Sequence, residues 1–76
     1  MSGMTEEQRV GDRLSALRKA AGLTQEQLAD KMRGAGHPWW QPTVSKVEAG
    51  RRAVPSDEMA VLAGILAAPL DWAVAA

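Results

Sequence analysis

The sequence contains no cysteine. That gives no support to a secreted disulfide scaffold and removes zinc sites built on thiolates. Histidine is almost as scarce, with His37 alone in the chain. One imidazole cannot assemble a metal site, so neither a metal nor a cofactor is expected. Long apolar runs are missing too: no stretch approaches the roughly 20 apolar residues that a membrane span requires. The opening Met1-Ser2-Gly3-Met4-Thr5-Glu6-Glu7 is polar and acidic, unlike a signal peptide. A soluble intracellular chain with no membrane partner is the expectation.

Net charge is lacking as well, with nine basic and nine acidic residues. Taken alone, that argues against a nucleic-acid partner, but the charges are unevenly spread. Between Arg18 and Arg52 lie seven bases (Arg18, Lys19, Lys31, Arg33, Lys46, Arg51 and Arg52) against the three acids Glu26, Asp30 and Glu48, a local balance of plus four. Arg9 and Arg13 stand elsewhere against Glu6, Glu7, Asp12, Asp57, Glu58 and Asp71, a balance of minus four. A dipolar chain of this kind can turn a basic face to phosphates while staying neutral overall. Solvated helix faces would produce the same count.

With 76 residues there is room for one modest core. Without disulfides, a domain this small depends on economical helix packing. Helix signals follow one another and no strand-like alternation competes. Thr5-Glu6-Glu7-Gln8 is a capping box, and Val10, Leu14, Leu17 and Ala21 recur at helical spacing until Gly22. Thr24-Gln25-Glu26-Gln27 repeats the box, with Leu23 and Leu28 placed as a hydrophobic staple; Leu28, Ala29 and Met32 line the second helix, which ends near Arg33. Glycine and proline make residues 34–40 a loop. A third helix begins around Gln41, tolerates Pro42 in its first turn, faces Val44 and Val47 inward and stops at Gly50. A fourth is expected to be capped by Ser56, with Asp57 and Glu58 favourable to its dipole, and to be broken by Pro69. Residues 70–76 allow at most two further turns.

Two strings stand out: Gly22-Leu23-Thr24-Gln25-Glu26-Gln27-Leu28-Ala29, preceded by Arg18-Lys19, and Thr43-Val44-Ser45-Lys46-Val47-Glu48-Ala49-Gly50-Arg51-Arg52. Together they resemble the helix-turn-helix family of Cro and the lambdoid phage repressors, over about residues 9–68. The resemblance implies an all-α, compact, four- to five-helix, lambda-repressor-like domain containing a helix-turn-helix. It also implies a sequence-specific DNA-binding transcriptional repressor of the temperate-phage immunity kind, acting in the bacterial cytoplasm at the nucleoid. The expected partner is a double-stranded DNA operator, bound by a weak homodimer. Residues 1–69 would form the DNA-binding domain.

Site residues follow from both lines. Gln25 opens the second helix, whose free amides and dipole suit a phosphate; the resemblance assigns it that clamp, and merely following a cap is the alternative. With Val44 and Val47 inward, Gln41, Thr43 and Lys46 project outward. Gln41 can pair with adenine, Lys46 can donate to guanine, and Thr43 and Ser45 can reach a phosphate or a thymine methyl. Arg51 and Arg52 fit backbone contacts. Arg18 and Glu48 are implied by the resemblance to form a structural ion pair, which fixes geometry more than it adds stability.

The sequence departs from the family pattern in its turn, longer by about five residues, and in carrying Trp39 and Trp40 together. Trp39 stands where a small residue normally plugs the core, so burial is expected. Trp40 stands where a serine or threonine ordinarily caps the third helix; with His37 it is open to a phosphate contact or to loop packing. Pro42 replaces a commonly polar reading position and offers only apolar contact. The ending Asp71-Trp72-Ala73-Val74-Ala75-Ala76 looks like a ribosome-rescue tag, a handle for the ClpXP protease; a fifth helix burying Leu70, Trp72 and Val74 is the alternative. Nothing resembles a nucleophile–base pair, so no catalysis is expected. An antitoxin that also binds a toxin, or an interaction module without DNA binding, would keep the same fold.

Overall fold

The computed structural model describes residues 3–74, which form four helices and no strand. They are α1 (Glu6–Ala20), α2 (Gln25–Gly34), α3 (Gln41–Glu48) and α4 (Ser56–Leu66). The first two begin as their sequences dictate. Thr5 Oγ1 accepts the Gln8 amide at 3.1 Å while Gln8 Oε1 accepts the Thr5 amide at 3.0 Å. Thr24 and Gln27 repeat the exchange at 3.0 and 2.9 Å. Each box satisfies two amides that the helix itself leaves unpaired.

The other two helices start differently. Trp40 occupies the cap position of α3 and has no side-chain acceptor; instead its own amide donates to Thr43 Oγ1 at 3.1 Å. For α4 the expected cap is corrected. Pro55, extended at ψ 159°, precedes the helix, and Ser56 is already its first residue. The Pro55 carbonyl accepts the Met59 amide at 2.9 Å, so the backbone alone closes the first turn. The far end is corrected too: α4 stops at Leu66 through Ala67 in the left-handed region (φ 53°), ahead of Pro69.

Leu14, Leu28, Met32, Trp39, Val44, Val47, Leu62 and Trp72 are fully enclosed. Trp39 thus fills the core as its position suggested. Residues 70–74 form turns rather than a fifth helix. Of the three apolar residues expected to be buried there, only Trp72 is; Leu70 and Val74 are 76% and 79% exposed. Trp72 is fastened from two sides: its indole N–H donates to the Met59 carbonyl at 3.0 Å, and its carbonyl accepts Arg13 Nε at 3.2 Å. Ala75 and Ala76, on which the tag reading depends, lie outside the described residues.

α3 packs against both α1 and α2. Its approach to α1 passes over Gly11, where a β-carbon would overlap the carbonyl oxygens of Val47 and Glu48. Gly50 (φ 76°) then turns the chain away beside Gln8, where again no side chain fits. These contacts hold α3 against α1 and α2 with Val44 and Val47 buried and Gln41, Ser45 and Lys46 outward.

Candidate nucleic-acid interface

The outward face of α3 is anchored to a buried ion pair. Arg18 on α1 grips Glu48 at the end of α3, with Nε to Oε2 at 2.6 Å and Nη2 to Oε1 at 3.1 Å. Its Nη1 donates to the Leu23 carbonyl at 2.8 Å, tying the start of the α2 turn to the same group. The hydrogen bonds to Glu48 raise the Arg18 pKa above the ordinary arginine value, although burial opposes them.

A chain of side-chain amides runs outward from this pair. A carboxylate only accepts hydrogen bonds, so Gln25 must offer its nitrogen: Gln25 Nε2 donates to Glu48 Oε1 at 3.0 Å. That turns Gln25 Oε1 toward α3, where it accepts Gln41 Nε2 at 2.8 Å. Gln41 therefore keeps its own oxygen and one N–H unspent. A free acceptor beside a free donor complements the adenine edge, which presents N6–H and N7 in the major groove. Gln25, meanwhile, spends its oxygen and one N–H inside the protein and retains a single N–H for a phosphate.

The remaining expected residues fall into distinct groups. Trp40, Gln41, Pro42, Ser45 and Lys46 are exposed, and Thr43 is half-buried with its oxygen engaged by the Trp40 amide. Lys46 and Arg51 form no ion pair among the described residues, nor do Lys19 and Lys31. Arg52 is employed differently from its neighbour Arg51. Its Nη1 pairs with Glu58 Oε1 at 3.1 Å, and its guanidinium lies 5.1 Å over the Trp39 ring.

Sequence reasoning missed two residues that shape this region. Glu58, read only as a dipole partner, is buried at 7% exposure, accepts the Trp39 indole at 2.9 Å and lies 3.7 Å from His37 Nδ1. Arg33, read only as charge, donates to the Trp39 carbonyl at 2.7 Å, pairs with Asp30, and stacks 4.0 Å over Trp40. The one available signal for Arg33 was its spacing of three from Asp30, which brings both to one helix face.

The sequence matches the family model described as helix-turn-helix domain over residues 9–72. The chain belongs to that family. No curated protein and no solved structure matches it. In this helix-turn-helix domain, α2 is the first helix of the motif, residues 35–40 the turn, and α3 the second helix. Membership points to a DNA-binding regulator with duplex DNA as its partner. Among the described residues no helix is long and apolar enough to cross a membrane, and no group of acidic or histidine side chains is placed to hold a metal ion.

Proposed function

We propose that this helix-turn-helix domain is a sequence-specific transcriptional repressor, of the temperate-phage immunity kind that its motifs resemble. It places α3 in the major groove and represses by occluding a promoter. The observation that carries the reading is the hydrogen-bonded line from Arg18 through Glu48 and Gln25 to Gln41. It presets the amide at the leading end of α3 before any ligand arrives. Preorganised polar groups lose less on binding than mobile ones.

In this arrangement Gln41 and Lys46 read bases, while Pro42 supplies apolar contact. Trp40, Thr43 and Ser45 line the same end of the helix. The remaining Gln25 N–H and Arg51 meet the phosphate backbone, and Arg52 holds the turn through Glu58. A weak homodimer, paired near the exposed Leu70 and Val74, would meet two half-sites about one helical turn apart. Selection from random duplexes tests this directly: a single consensus supports the reading, and a palindromic one supports pairing. Recovery of no consensus would remove it.

The C-terminal tag reading extends the same role, because a repressor recognised by ClpXP is short-lived. Trp72 is locked beneath α4, so it is not offered as part of a handle without local unfolding. Fusion of residues 71–76 to a stable reporter should shorten its half-life in cells containing ClpX. An unchanged half-life would dismiss the handle.

A further inference from the structure

The turn between α2 and α3 is clamped at two points by side chains that base reading leaves unused. From α4, Glu58 accepts the Trp39 indole at 2.9 Å and is itself paired with Arg52. From α2, Arg33 makes three simultaneous contacts: the Trp39 carbonyl at 2.7 Å, the Asp30 carboxylate, and the Trp40 ring at 4.0 Å. Trp39 and Trp40 are the two residues immediately before Gln41. Whatever moves them moves the leading end of α3.

Only a guanidinium suits this position. Its planar fork bonds a carbonyl and a carboxylate in the plane while its face covers an aromatic ring. An ammonium carries the same charge but has no such face or fork. The turn bends at Gly36 in a left-handed conformation (φ 93°), and the exposed Trp40 beyond it is held by the Arg33 face.

We propose that Arg33 is a positioning residue for base recognition: by gripping the Trp39 carbonyl and the Trp40 ring, it fixes the angle at which the Gln41 end of α3 enters the groove. This rests on the proposal that α3 reads DNA. Arg33 touches no base in this scheme and acts through Trp39 and Trp40.

Arg33→Lys tests it, because the variant keeps the charge and loses the grip. Binding is measured on the selected duplex and on one altered at the base pair whose discrimination depends on Gln41. The expected result is a loss of discrimination of about tenfold, with the dependence on salt unchanged because the charge is retained. Acrylamide quenching of tryptophan should also change, since Trp40 is exposed while Trp39 and Trp72 are buried. A cycle with Trp40→Ala, which removes a 60% exposed ring without opening the core, completes the test. In that background Arg33→Lys should cost less than it does alone, because one of its two grips is already gone.

Full discrimination by Arg33→Lys would overturn the inference. So would losses that simply add in the double variant. If the unmodified protein itself fails to distinguish the two duplexes, both this inference and the base-reading proposal fall.

Discussion

Glu58 is a charged side chain at a buried position, and it stays there because three neighbours meet it. The Trp39 indole and Arg52 each donate to one of its oxygens, and His37 Nδ1 lies 3.7 Å away. Among the described residues no buried side-chain nitrogen or oxygen lacks a partner. Removing this acceptor would create such an orphan. Glu58→Ala should therefore cost about 1–3 kcal/mol, the range for leaving one buried donor, the Trp39 indole, unpaired. Glu58→Gln, which still accepts from the indole, should cost less. Urea unfolding of the three proteins checks the order, and equal stability of Glu58→Ala and the unmodified chain would show that the cluster is incidental.

At the scale of elements, α1 and α2 were legible because their signals are local. Thr5 with Gln8, and Thr24 with Gln27, sit three residues apart, and a capping box needs nothing further. α3 was legible from Val44 and Val47, which leave only one way to turn it. Its start at Gln41 was legible too; its cap was not, because Trp40 has no side-chain acceptor and the Thr43 hydroxyl does the work from inside the helix. Thr43→Val keeps the shape and removes that acceptor; about 1 kcal/mol of stability should be lost, with faster hydrogen exchange at the Trp40 amide. An unaltered exchange rate would dismiss the cap. The start of α4 was misread by one residue because the rule applied to Ser56 looks for a side-chain cap, whereas Pro55 begins the helix with backbone alone. Arg18 and Glu48 were paired through the family resemblance. Arg52 with Glu58, and Glu58 with Trp39, carried no such guide. They depend on how the lengthened turn folds back onto α4, and that is invisible in spacing.

For the molecule as a whole, two features decide what the chain can do. The first is the tail. Its alternation Leu70, Trp72, Val74 is equally compatible with several short conformations, and the structure buries only the middle residue. Trp72 closes the core between α1 and α4, so Trp72→Ala should cost about 3–5 kcal/mol. Small domains hold only about 5–15 kcal/mol in total, so thermal melting should show most of the stability gone; a melt within a few degrees of the original would place Trp72 outside the core. The second feature is charge. Arg18, Arg33 and Arg52 are committed to ion pairs within the fold. The basic segment read from sequence therefore reduces, among the described residues, to Lys19, Lys31, Lys46 and Arg51 as freely offered cations.

That reduction leaves Lys46 as the free cation on α3, the helix proposed to read bases, whose first residue is the preset Gln41. The direct measurement is anisotropy titration of the selected duplex and a scrambled one, at several salt concentrations, with the unmodified protein, Gln41→Ala and Lys46→Ala. Specific binding should be about a thousandfold or more tighter than scrambled, weakening steeply with salt. Each substitution should remove about 1–3 kcal/mol of that preference while the thermal melt stays in place. Equal affinity for the two duplexes, or full preference retained by both variants, would contradict base reading by α3.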